Sequence, residues 1–179
     1  MTLTKAVDNL CLYDPDFKHI ADGFIAEFGA NAAVHEVNNL EDLRTAVNSY
    51  RAVKFLEIVI HGSPGTLHTK KERLSGWYIA VLAESNPNFL QKGAKILFDS
   101  CNIGKGKSGD QFMDDLGIRI LKGKGGTIGA STVNSWTSPL FGTGFFMQPL
   151  SFGRLKVKSY NLEGKPAGAL QVDRLGVVR

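Results

Sequence analysis

Residues 53–65 read VKFLEIVIHGSPG, an apolar run that ends in a turn-forming sequence. Residues 53–60 are almost continuously apolar, which predicts a central strand covered on both of its faces. The strand must stop at His61, because the sequence HGSPG that follows cannot continue it. A strand of this kind belongs to a sheet with helices on both sides, so we expect an α/β protein.

Strand and helix patterns alternate along the chain as far as residue 131. The last predicted helix spans residues 109–121, and Ser108 and Gln111 have the spacing of a capping box. Residues 144–172 are rich in β-forming and turn residues, which predicts one or two hairpins. We therefore expect residues 1–179 to form a single three-layer α/β/α domain with a mostly parallel central sheet and C-terminal β-hairpins. The expected strands are residues 9–13, 31–37, 53–60, 94–100 and 127–131, and the earlier helices follow Pro15, Asn39 and Gly76.

The composition limits the classes of function. Hydrophobic residues make up 43% of the chain and charged residues 21%, as in folded soluble proteins. No apolar run approaches the roughly 20 residues of a membrane-spanning helix, and the N-terminus lacks a signal-peptide core. We expect a cytoplasmic protein, or one exported without a signal peptide, with neither membrane nor nucleic-acid partners. The formal net charge of +4 is dispersed, and its tightest group is Lys70, Lys71 and Arg73.

The cysteines and histidines do not predict a structural cross-link or a metal site. Two cysteines in an unexported chain normally stay reduced, and the four histidines show no paired ligand spacing with them. We expect Cys11, inside the apolar run NLCLY, to be a packed core residue. No metal and no cofactor is expected.

His61 and Cys101 each end an apolar strand at the carboxyl edge of the predicted sheet. If the two strands are neighbours, about 4.8 Å apart, the two side chains come close together. A cysteine nucleophile needs a base to form its thiolate, and His61 is the candidate base. Gly62 leaves room for a substrate, and its N–H and that of Cys101 could donate to an oxyanion. The pattern indicates acyl transfer.

The two stretches FLEIVIHGSPG (55–65) and AKILFDSCNIGKG (94–106) resemble the catalytic His-Gly and Cys segments of caspase-like (clan CD) cysteine peptidases. The likeness is closest to metacaspases and to caspase-like domains of bacterial surface proteins and toxins. This resemblance implies a caspase-like fold and a cysteine endopeptidase of bacterial origin, which could be a delivered effector. It assigns His61 as general base, Cys101 as nucleophile and Gly62 to the oxyanion hole.

The same resemblance implies substrate-binding residues. Asp99 matches the metacaspase aspartate two residues before the nucleophile, which lines a pocket for arginine or lysine. Ser135 and Trp136 are similar to a substrate-binding Ser-Trp pair of caspases. Asn102 replaces the histidine that metacaspases carry after the nucleophile, and no second acidic pocket residue is identifiable. The expected partner is a protein or peptide, cut after a basic residue.

Three alternatives stay open at this point. A caspase-like fold that has lost its activity would be a protein-binding module. A phosphate-binding loop is the second alternative, since Gly106, Lys107 and Ser108 match half of a P-loop motif, although Cys101 occupies the position of its first glycine. The third is activation by an anion, because some toxin-borne relatives are activated by an inositol phosphate. The basic group around Lys70 is the candidate binding site for it. His68 is the candidate substitute base.

Overall fold

A computed structural model describes residues 4–132 and 155–173, and the structural statements below concern these residues. Two short 3₁₀-helices, Pro15–Phe17 and Gly29–Asn31, flank the first α-helix. The α-helices are α1 (Lys18–Phe28), α2 (Leu40–Ser49), α3 (Gly76–Glu84) and α4 (Gly106–Ile120). The strands are β1 (Lys5–Ala6), β2 (Asn9–Tyr13), β3 (Ala32–Glu36), β4 (Tyr50–Arg51), β5 (Val53–Val59), β6 (His61–Ser63), β7 (Thr66–His68), β8 (Arg73–Ser75), β9 (Leu90–Phe98), β10 (Gly126–Ser131), β11 (Leu155–Tyr160) and β12 (Pro166–Asp173).

The central sheet has seven strands in the order β12-β11-β10-β9-β5-β2-β3. The strands β10, β9, β5, β2 and β3 are parallel, and β11 and β12 form an antiparallel hairpin beside β10. The predicted mostly parallel sheet with a C-terminal hairpin is confirmed. The first parallel strand, β2, lies between β3 and β5, so the chain changes its direction of travel across the sheet there. Open α/β sheets bind their ligands at the carboxyl ends of strands at such a switch point.

Helices cover both faces of this sheet. On one face, Leu12, Ile58 and Ile96 pack in a large core with α2, α3 and α4, where the ring of Phe112 lies edge-on to that of Phe98 at a centroid distance of 4.9 Å. On the other face, the strand residues Cys11, Tyr13 and Val59 pack against Ile20, Ala21 and Phe24 of α1. These layers confirm the α/β/α architecture. The longest helix, α4, has 15 residues, and no helix in the described ranges is both long and apolar enough to span a membrane.

Local chemistry explains where two of the helices begin. The side chain of Asn39 accepts hydrogen bonds from the N–H groups of Glu41 and Asp42, which confirms it as the N-cap of α2. The predicted start of α4 is wrong, because the helix begins at Gly106 and Ser108 lies within its first turn. The predicted capping box is therefore absent, and the side chain of Gln111 donates to Asp115 instead. Gly106 has φ of 64°, which allows the sharp entry into the helix.

Candidate active site

The strands that precede His61 and Cys101 are neighbours, as the sequence predicts. Ile58 of β5 is paired with Phe98 of β9 in a parallel register. The N–H of Asp99 then donates to the carbonyl of Ile58 over 3.0 Å, which holds the two strands together to their ends. The segments that follow β5 and β9 both leave the sheet at this edge, so the segment beginning at His61 and the turn beginning at Cys101 emerge side by side.

Gly62 brings these two segments into backbone contact. A Cβ atom at Gly62 would lie 3.0 Å from the carbonyl oxygen of Cys101, 3.0 Å from Cβ of Ser100 and 3.5 Å from the amide nitrogen of Cys101. Real Cβ atoms seldom come so near a backbone oxygen, so any larger residue would push the two segments apart. The glycine after His61 thus permits the close approach to Cys101.

The two cysteines differ sharply in accessibility. Neither forms a disulfide, and Cys101 is partly exposed whereas Cys11 has no exposed surface. Burial raises the pKa of the Cys11 thiol well above its ordinary value, and the carboxyl groups of Glu57 and Asp99 raise it further. A thiol of that kind is a poor nucleophile, because the reactive form is the thiolate. Cys101 is therefore the thiol positioned for chemistry, and Cys11 is the core residue that its apolar run predicts.

His61 has a carboxylate partner that the sequence analysis did not single out. Its Nε2 lies 3.1 Å from Oδ2 of Asp16, and its ring lies 4.7 Å from the ring of Phe17. The imidazole is still 49% exposed. Asp16 belongs to the 3₁₀-helix Pro15–Phe17, which follows β2, and β2 is the neighbour of β5 on the side away from Cys101. When Asp16 accepts the proton of Nε2, the lone pair of the ring lies on Nδ1, the tautomer that can act as a base.

Asp14 completes this group of polar side chains. It is 1% exposed, its N–H donates to Val59 over 2.9 Å, and its Oδ1 accepts from the N–H of Asp16 over 3.0 Å. One donor atom from each of Asp14, Asp16 and His61 lies within 4.8 Å of the others. The sequence signal for these residues is weak, since DPDF after a strand also reads as an ordinary helix start.

Asp99, the predicted specificity residue, is nearly buried. It is 7% exposed, and Glu57 of β5 is 3% exposed. Burial, the charge of Asp99 and the charge of Glu27 together raise the pKa of Glu57 to about 8, so Glu57 carries its proton at neutral pH. Glu57 is a second acidic residue beside Asp99, which the sequence analysis missed because it reads as a single charge in an apolar strand.

The stretch after His61 forms a small sheet of β6, β7 and β8. Within it, His68 lies opposite His61, and its Nε2 is 2.8 Å from Oγ of Ser63. Burial, Arg73 and His61 lower the pKa of His68. The structure thus places His68 beside His61, in a hydrogen bond to a hydroxyl.

The basic group that could bind an anionic activator spans the β7–β8 connection and the first residue of β8. Lys70, Lys71 and Arg73 are all exposed. Glu72 lies among them, and its carboxylate accepts hydrogen bonds from the N–H of Leu40 and from Oγ1 of Thr69. An inositol phosphate bound here stays a prediction.

The loop after Cys101 does not have the geometry of a phosphate cradle. A P-loop turns its backbone N–H groups toward the ligand. Here the N–H of residue 103 donates to Ser100, that of residue 104 to Ser131, and that of residue 105 to Asn102. Three successive amides are occupied by protein carbonyls, which argues against the phosphate-binding alternative. Asn102 takes a left-handed conformation with φ of 56° in this turn.

The candidate residues therefore divide into three groups. The structure brings His61, Gly62 and Cys101 to one edge of the sheet and leaves Asp99, which follows β9, nearly buried. It also shows three residues that the sequence did not single out, with Asp14 and Asp16 beside His61 and Glu57 beside Asp99. Ser135 and Trp136 lie outside the described residues.

These features define a three-layer α/β protein with a cysteine and a histidine at the carboxyl edge of its parallel strands. The chain belongs to the DUF4347 family, a domain of unknown function whose profile matches residues 15–134. The matched region contains Asp16, His61, Asp99 and Cys101. No curated protein matches the chain.

Proposed function

We propose that this protein is a cysteine endopeptidase of the caspase-like type. The observation that carries the proposal is the close approach of Gly62 to the backbone of Cys101, which brings a partly exposed cysteine next to the segment that carries an exposed imidazole. The position at the carboxyl ends of parallel strands is also where α/β folds form their sites. The sequence resemblance to clan CD peptidases supports the same assignment.

The reaction uses these groups in sequence. His61, oriented by Asp16, takes the proton of the Cys101 thiol. The thiolate attacks the carbonyl carbon of the scissile bond, and the N–H groups of Gly62 and Cys101 stabilise the negative oxygen. His61 then gives its proton to the leaving amine. Water, deprotonated by His61, attacks the thioester, releases the second product and restores the thiol.

Asp99 supplies the preference for a basic residue before the cleaved bond. A carboxylate below the catalytic edge would pair with the cation of a lysine or arginine side chain. Its burial strengthens such a pair, because a buried charge is screened much less than an exposed one. The neighbouring Glu57 is protonated at neutral pH and can accept a hydrogen bond from the same cation.

Covalent labelling tests this proposal. A lysine-directed peptide chloromethyl ketone is expected to alkylate Cys101, and an aspartate-directed one is not. Labelling should be lost in Cys101→Ala and in His61→Ala, and should fall roughly tenfold or more in Asp99→Asn, read by intact-protein mass spectrometry. Equal labelling of the native chain and Cys101→Ala would refute the nucleophile. Tight binding of an unmodified peptide without any labelling would favour the binding module.

Asp16→Asn is expected to lower kcat by roughly 10- to 100-fold and to leave KM nearly unchanged. Asp16 contacts the imidazole of His61 over 3.1 Å, so its replacement is expected to disturb the orientation of the base more than peptide binding. The measurement is steady-state hydrolysis of a lysyl peptide substrate, alongside thermal unfolding to show that the fold is intact. Asp22→Asn is the control, because this exposed aspartate of α1 pairs with Lys18 and not with His61. A rise in KM with unchanged kcat would contradict a positioning role.

A further inference from the structure

Three potential metal ligands meet at the switch point of the sheet. Asp14 and Asp16 follow β2, and His61 follows the neighbouring strand β5. One donor atom from each residue lies within 4.8 Å of the other two. In chain order they are separated by the whole of β3 and α2, so their meeting is a product of the strand order. The crevice at such a switch point is where open α/β sheets bind ligands.

Asp14 has a carboxylate oxygen without a hydrogen-bond partner. The residue is 1% exposed, and its Oδ2 is inaccessible and receives no hydrogen bond from the described part of the chain. No lysine or arginine within residues 4–132 or 155–173 forms an ion pair with Asp14 or Asp16. A buried carboxylate oxygen without a donor is costly unless a cation satisfies it. Because the Asp14 carboxylate contributes an atom to the group around His61, a cation bound there would supply the missing partner of this side chain.

The donor set favours zinc over magnesium or calcium. Magnesium and calcium take oxygen ligands, whereas an imidazole nitrogen with carboxylate oxygens suits Zn²⁺. In a tetrahedral zinc site with bonds of about 2.0–2.2 Å, two ligand atoms lie about 3.3–3.5 Å apart. The distance of 3.1 Å between His61 Nε2 and Asp16 Oδ2 is already close to this separation. Three protein ligands leave a fourth position for water.

We propose that Asp14, Asp16 and His61 form a binding site for a divalent transition-metal cation, best matched by Zn²⁺, and that the bound ion switches off the catalytic edge. The second half of this proposal rests on the proposed peptidase function. A metal on Nε2 uses the lone pair of that nitrogen, so the proton of the neutral ring lies on Nδ1. His61 then has no lone pair with which to deprotonate Cys101. Zinc thus competes directly with the base role of His61.

Zinc binding is tested in a background that lacks the catalytic thiol. The Cys101→Ala chain should bind Zn²⁺ with one-to-one stoichiometry in calorimetric titration, and zinc should raise its Tm. Adding Asp14→Asn or Asp16→Asn to this background should weaken binding roughly tenfold or more. Asp22→Asn is the matched control and should bind as the background does, because Asp22 lies outside the group. With the native chain, zinc should inhibit peptide hydrolysis, and a chelator should restore it.

Two results would overturn the zinc site. One is the absence of binding in the Cys101→Ala background, which would place any inhibitory zinc on the thiol. The other is equal binding by Asp16→Asn and the control, and since Asp16 is 62% exposed, this variant is expected to fold normally. Failure of the peptidase is distinguishable from failure of the site. Zinc binding that needs Asp14 and Asp16, without any peptide hydrolysis, would support the metal site and refute the peptidase. Peptide hydrolysis that continues unchanged when zinc is bound would refute the inhibitory role of the ion.

Discussion

Cys101→Ala is expected to abolish peptide hydrolysis, with a fall in kcat of roughly 10³-fold or more. In the proposed reaction the sulfur of Cys101 forms the covalent intermediate, and the other cysteine of the chain, Cys11, is fully buried. His61→Ala should cause a loss of similar size, because the nucleophile and its base act as one unit. The measurement is steady-state hydrolysis of lysyl and arginyl peptide substrates.

Cys11→Ala is the matched control for this experiment. It also removes one sulfur, but Cys11 is fully buried on the α1 face of the sheet and its raised pKa keeps the thiol protonated. Hydrolysis should survive in the folded fraction of this variant. Alkylation by iodoacetamide should likewise modify Cys101 and spare Cys11 in the native protein. A variant lacking Cys101 that still hydrolyses peptides at the native rate would end the peptidase proposal.

The free energy of unfolding is expected to fall as the pH rises from about 5 to 8, because of Glu57. Burial and nearby carboxyl groups raise the pKa of Glu57 from its ordinary 4.5 to about 8 in the folded protein. Between these values the folded chain holds a proton that the unfolded chain has released, so the proton stabilises the folded state at low pH and less so at high pH. The full effect is roughly 3–5 kcal/mol.

Urea unfolding at pH 5, 6.5 and 8 measures this effect. His35 and His68 have lowered pKa values, which act with the opposite sign and mainly below about pH 6.5. The change in stability between pH 6.5 and 8 therefore reports mainly on Glu57. Over this interval the free energy of unfolding of the native protein should fall by about 2 kcal/mol. Glu57→Gln, which stays neutral, should remove most of that fall. Glu163→Gln, an exposed change, should leave it intact, and a fall that persists in Glu57→Gln would assign it to another group.

The architecture could be predicted from the sequence because each strand carries its own signal. The apolar run 53–60 needs neighbours on both sides and cover on both faces, and the structure places β5 between β9 and β2. The start of α4 could not be predicted, because it depends on tertiary contact. The N–H of Gly104, just before the helix, donates to the carbonyl of Ser131 over 2.8 Å, and a Cβ atom at Gly65 would lie only 2.5 Å from the carbonyl oxygen of Ser108 in the first turn.

The candidate site likewise has a part that the sequence predicts and a part that it does not. That His61 and Cys101 lie at one edge of the sheet could be predicted from the sequence, because each follows an apolar strand and parallel strands present their carboxyl ends at the same edge. The positions of Asp14 and Asp16 beside His61, and of Glu57 beside Asp99, became visible in the folded structure alone. Those contacts depend on which strands are neighbours, since β2 pairs with β5 across the intervening β3 and α2. Strand order is set by the packing of the whole core, and no local pattern of residues encodes it.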